Sequence, residues 1–233
     1  MKQLWCIDFD GGASACKSAY YRNNNNIRCW EPWVMQTKDR TAYDYPATHD
    51  RVMDILRFAL TEHENLWGVM ITGVDLWDNV CINNMKITDM GIAKDGIEAS
   101  DPSKTVGNQW NWSMRSTRFH QLTSMCRGLV KRGVAVFLET HLKKTNYSHG
   151  SSEQGAPWRP AWEKSTNNLL FQIVMFERTD IEDEEGEPLM SEYTATFEKS
   201  KTDSTLQGQK INILKTEQGM TPVWYGLPEL DRL

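Results

Sequence analysis

The sequence predicts an α/β fold: a mostly parallel central sheet flanked by helices, with antiparallel strands toward the C-terminus. Three observations lead there. Apolar runs at residues 4–9, 66–74 and 134–138 are too short for helices and read as buried strands. Helical patterns fill the intervals between the second and third runs and precede the second. Past residue 165, strand-like runs follow one another with an acidic turn between the first two.

Taken in order, residues 4–9 (LWCIDF) form the first strand and end among carboxylates, and Gly11 and Gly12 then permit a tight turn. The four asparagines at 23–26 read as a solvated loop. Val52, Ile55, Leu56 and Ala59 lie on one face of a helix over residues 47–63, with Thr48, Arg51 and Asp54 as its polar start. Residues 66–74 (LWGVMITGV) form the second strand, and residues 76–85 a helix. Residues 88–107 turn polar and read as a long loop or insertion. A helix over 109–132 ends in Lys131, Arg132 and Gly133, residues suited to a helix C-terminus. Residues 134–138 are the third strand, followed at once by Glu-Thr-His. Residues 143–165 read as a loop. Strands at 169–178 and 193–199 flank the acidic turn 180–188, and 211–215 pairs with 223–225 around Gly219. With no internal repeat and no clear linker, the expectation is one domain over residues 1–233.

Composition excludes several classes. A formal net charge of −5 over 233 residues does not describe a general polyanion binder, although a local basic groove remains compatible with it. The five cysteines show neither C-x-x-C nor zinc-ligand spacing, and their odd number fits reduced thiols in a cytoplasm. No apolar run approaches the roughly 20 residues that span a bilayer, so no membrane partner is expected. Ten tryptophans supply both core surface and stacking surface.

In an open parallel sheet, ligands bind outside the carboxyl ends of the strands. Three strands end in polar residues: Asp8 and Asp10, Thr72 and Asp75, Glu139 and His141. Convergence on one rim makes a site of carboxylates, hydroxyl and imidazole; the alternative is that loops are simply polar where strands end. No metal-ligand pattern is evident. Residues 11–18 (GGASACKS) approach G-x-x-x-x-G-K-[ST], with Cys16 in place of the second glycine. In a phosphate loop, Gly11, Gly12, Lys17 and Ser18 would serve phosphate and Mg²⁺ of ATP. The other reading is a turn leading into a short helix. The Asp-Gly start also resembles the first phosphate motif of actin-like ATPases, without the second motif.

Taken together, residues 4–13, 66–77, 134–141 (VAVFLETH) and 197–203 (FEKSKTD) resemble phage and archaeal-virus RecA-like P-loop ATPases of recombination. The first segment looks like the strand that follows the phosphate-loop helix, the second like the Walker B strand, and the third like the strand ending in a polar sensor. The resemblance implies ATP and Mg²⁺ as cofactors, with Asp8, Asp10 and Thr72 beside them and Asp75, Glu139 and His141 in catalytic roles. It implies that Lys199 and Lys201 reach a neighbouring subunit's nucleotide. Their other reading is a solvated strand end. Two departures bear on activity: the first strand with its intact phosphate loop is not found, and Thr72 stands where Walker B has an aspartate.

The implied function is DNA recombination or repair in a host cytoplasm. ATPase activity is weak, absent or dependent on a partner: a second copy, a partner ATPase or an annealing protein. The competing expectations are an ATPase using residues 11–18 and an inactive partner-binding domain. Single-stranded DNA is the expected ligand of Lys143, Lys144, Tyr147, Trp158, Arg159 and Lys164, where cations alternate with aromatics. A surface loop pinned by its tryptophans is the alternative there.

Overall fold

The structure, a computed structural model, describes residues 2–22, 24–36, 42–91, 109–144, 158–162 and 166–225. The chain divides into two compact units, Met1–Lys164 and Ser165–Leu233.

The first unit runs β1 (Gln3–Asp8), α1 (Gly12–Tyr20), β2 (Ile27–Trp30), α2 (Tyr45–Thr61), β3 (Leu66–Thr72), α3 (Val74–Thr88), α4 (Gln109–Val130) and β4 (Ala135–Leu138). The four strands form one parallel sheet in the order β2-β1-β3-β4. β1 and β3 are central, and their Ile7 and Ile71 are fully buried neighbours in register. Period-two alternation sends Trp5 toward α2, where it meets Phe58 at 5.2 Å, and sends Cys6 and Asp8 to the opposite face. Helices α2, α3 and α4 pack on one another, while α1 lies against β1 and β2.

Helix α2 begins two residues before the point expected from its apolar face. Asp44 caps it by accepting from Ala47 N–H at 3.0 Å, and Pro46 follows in the first turn. Thr48, expected among the polar starters, is fully buried, and its Oγ1 accepts from Val34 N–H at 3.0 Å. Asp78 of α3 and Asp89, just past its end, pair with Arg115 and Arg118 of α4, which ties the two helices together. Trp77 is completely buried, with His49 stacked on it at 5.1 Å and Phe9 at 6.2 Å. Three strands of this unit were not anticipated: the four-residue β2 and an antiparallel pair, β5 (Leu142–Lys144) with β6 (Trp158–Pro160).

The second unit holds α5 (Thr166–Leu169), β7 (Gln172–Glu182), β8 (Pro188–Ser200), β9 (Lys210–Glu217) and β10 (Val223–Trp224), in an antiparallel sheet ordered β10-β9-β8-β7. The C-terminal strands therefore form a sheet of their own instead of extending the parallel one. The β7–β8 ladder runs the full length of both strands, and β8 pairs β9 on its other side, so β8 is hydrogen-bonded along both edges. The acidic run is the hairpin tip, where Asp183 accepts from Glu185 N–H and Glu187 N–H, each at 2.9 Å. Among the described residues, no helix is long and apolar enough to cross a membrane.

Candidate functional site

From β1 the chain moves outward to β2, then returns across β1 to β3 and continues to β4. This reversal falls at the carboxyl ends of β1 and β3, the place where doubly wound sheets bind ligands. Asp8 and Thr72 are the last residues of those two strands and register partners. The three polar strand ends singled out in the sequence do converge on this rim.

Asp8 is only 3 % exposed. Its Oδ2 accepts from Ser14 N–H at 2.7 Å, and its Oδ1 accepts from Ala13 N–H at 3.3 Å and from the Thr72 hydroxyl at 2.9 Å. Burial pushes its pKa up, but the hydrogen bonds from Ser14, Thr72 and Ala13 outweigh burial and hold it below the usual aspartate value. Residues 11–18 are a turn followed by helix. Gly11 takes φ +79°, and α1 starts at Gly12. Gly12 N–H donates to Asp10 Oδ1 at 3.0 Å, so the donors of the first turn are already held by protein carboxylates. Lys17 and Ser18 lie in later turns of α1, away from the helix start. The Ser18 carbonyl accepts from Arg22 Nε at 2.7 Å. Burial, with smaller contributions from Cys29 and Asp8, pushes the Cys6 thiol up to about 12, and the charge of Lys17 opposes that shift.

Thr72 also lies 3.0 Å from Asp10 Oδ1, so one hydroxyl hydrogen serves two carboxylates. Next to it, Gly73 adopts φ +66°, and a Cβ there would stand 3.2 Å from both the Phe9 Cβ and the Leu76 Cδ1. Gly73 N–H donates to Glu139 Oε2 at 2.8 Å, while Val74 N–H donates to the Glu139 carbonyl at 2.9 Å. The start of α3 is thus tied to the end of β4.

Asp75, in the first turn of α3, gathers residues 140 and 141. Its Oδ1 accepts from the Thr140 hydroxyl at 3.2 Å and from His141 N–H at 3.3 Å, and His141 Nδ1 stands 3.2 Å from both carboxylate oxygens. Burial raises the pKa of Asp75, but the bonds from His141 overcome this and lower it. The hydrogen bond to Asp75 and its charge raise the pKa of His141. One ligand atom each of Asp10, Glu139 and His141 falls within 4.8 Å of the others. The rim therefore collects four carboxylates around one imidazole, an arrangement suited to cations and not to anions.

Of the residues expected to meet DNA, Lys143 faces Arg159 across the β5–β6 ladder, and Lys144 is the register partner of Trp158. Tyr147 and Lys164 lie outside the described residues. This pair adjoins the rim, since the His141 carbonyl accepts from Ala161 N–H at 2.9 Å. In the second unit, Lys199 and Lys201 donate to the carbonyls of Asn167 and Asn168. Lys201 also lies 5.9 Å from the Phe171 ring centre.

Sequence reasoning passed over Ser14, Gly73 and Thr140. For Gly73 a signal existed: a glycine between a strand end and a helical pattern can supply a positive φ at the turn. For Ser14 and Thr140 there was none, because their roles depend on Asp8 and Asp75 being brought to them. No protein-family model and no curated protein matches the chain.

Proposed function

We propose that this chain is a RecA-like protein of DNA recombination or repair, which binds single-stranded DNA and engages ATP only together with a phosphate-binding segment supplied from outside residues 1–233. The observation that carries the reading is the convergence of Asp8, Thr72, Glu139 and His141 at the reversal point of a parallel sheet. A rim rich in carboxylates suits the metal side of a metal–nucleotide complex; the phosphates need donors from elsewhere, because the first turn of α1 already bonds Asp8 and Asp10. For the same reason, an ATPase built on Lys17 is disfavoured. β4 supports a partner as well. It ends the sheet, with half-buried Ala135 and Phe137 and with the 55 % exposed Trp67 stacked on Phe137 at 5.8 Å. Parallel sheets are normally covered on both faces. In a homo-oligomer, Lys199 and Lys201 would act on a neighbour's nucleotide.

The DNA half of the reading rests on the β5–β6 ladder, which pairs Lys143 with Arg159 and Lys144 with Trp158 in register and so gathers three cationic residues and an aromatic one in two short strands. Fluorescence anisotropy with a labelled oligonucleotide tests it. Binding should appear at low salt, weaken as salt rises, and lose about 0.7 of its log–log salt slope for each phosphate contact removed, as in Lys143→Ala or Arg159→Ala. Absence of binding at low salt would contradict the reading. So would saturable ATP binding by the chain alone that Lys17→Ala abolishes.

A further inference from the structure

We infer that Asp10, Glu139 and His141 form the binding site for one divalent transition-metal ion of the Mn²⁺ or Zn²⁺ kind, with Asp75 orienting the imidazole. The site follows from the rim geometry and does not depend on the nucleotide reading.

Each of the three ligands is held through one atom and offers another. Asp10 Oδ1 accepts from Gly12 N–H, which leaves Oδ2. Glu139 Oε2 accepts from Gly73 N–H, which leaves Oε1. His141 Nδ1 is engaged by Asp75, which leaves Nε2. A carboxylate behind a ligating histidine is the usual outer-shell arrangement, because it fixes the tautomer and the ring orientation. The three side chains come from two different strand ends, so strand order, and not local sequence, brings them within 4.8 Å.

Charge points the same way. Among the described residues, no lysine or arginine forms an ion pair with Asp8, Asp10 or Glu139, and the rim's one ion pair is His141 with Asp75. Asp8 and Asp10 crowd a single hydroxyl at 2.9 and 3.0 Å, an excess of acceptors that a dication beside Asp10 relieves. One nitrogen with two carboxylate oxygens selects Mn²⁺ or Zn²⁺ over Mg²⁺ and Ca²⁺, which favour all-oxygen shells. Ligand bonds of about 2.0–2.2 Å bring donors to roughly 3–4 Å from one another. Asp10 and His141 are exposed and can rotate to close that gap. Three protein ligands leave coordination positions open to water or to an oxygen of a bound anion.

Titration of the full chain with Mn²⁺, followed by electron paramagnetic resonance, tests the site. The expected result is one bound Mn²⁺ per chain, displaced by Zn²⁺ and at least tenfold less effectively by Mg²⁺. Asp10→Asn and His141→Ala should abolish it while circular dichroism stays unchanged. Asp75→Asn should weaken it by about 10- to 100-fold. Glu185→Gln, at the hairpin tip of the second unit, should leave it intact. No stoichiometric binding, or binding equally strong in Asp10→Asn and His141→Ala, would overturn the proposal.

Discussion

The two strand-to-helix turns at the rim share a backbone device and differ in electrostatics. After β1 and after β3, a glycine of positive φ, Gly11 or Gly73, turns the chain into a helix. At the first turn, Asp8 and Asp10 are local, and they hold the N–H groups of their own helix. At the second, Thr72 carries no charge, and the donors at Gly73 and Val74 go to Glu139, a residue 66 positions away. Both helix starts are thereby filled with negative charge from the protein itself. A phosphate arriving at either would meet carboxylates, whereas a cation would be welcomed. Within the first turn, the two aspartates divide the work: buried Asp8 organises the structure, and exposed Asp10 faces solvent.

That division predicts effects of very different size. Asp8→Ala leaves Ser14 N–H and Ala13 N–H without their charged acceptor and the Thr72 hydroxyl with Asp10 alone, and should cost about 3 kcal/mol in urea unfolding. The folded pKa of Asp8 is depressed, so its stabilisation is present above the unfolded value near 3.9 and is lost as pH falls through the folded value. Acid unfolding of Asp8→Asn should therefore lack part of the loss that the parent chain shows below about pH 4.

Next come the glycines. Gly73→Ala combines a left-handed backbone with contacts at 3.2 Å and should cost about 2 kcal/mol, whereas Gly11→Ala has open space around it and should cost about 1 kcal/mol. Equal losses would mean that the packing around Phe9 and Leu76 is looser than described. The smallest effect belongs to Asp10→Asn. An amide oxygen still accepts from Gly12 and Thr72, and like-charge crowding falls, so thermal stability without metal should change by no more than about 0.5 kcal/mol.

Much of the rim was legible because strand ends can be read from apolar runs that stop at polar residues. Asp8, Thr72 and Glu139 each sit at or just past such a stop. Less legible was the helical state of residues 12–20. No residue of α1 is buried, so it has no apolar stripe to announce it, and the glycines with Lys17 and Ser18 mimic a phosphate loop. β2 is four residues long and follows an asparagine run, which leaves too little pattern to detect. The independence of the antiparallel sheet depends on pairing partners, and apolar periodicity does not specify those. The cation site was hidden for a related reason: Asp10 is 129 positions from Glu139, and only the strand order brings β1, β3 and β4 side by side.

Anomalous diffraction from crystals grown with Mn²⁺ is the most direct test of this arrangement. The expected outcome is one strong peak about 2.1 Å from oxygens of Asp10 and Glu139 and from a nitrogen of His141, with Asp75 behind the imidazole. A rim without a peak, or Asp8, Thr72 and His141 found apart from one another, would contradict it.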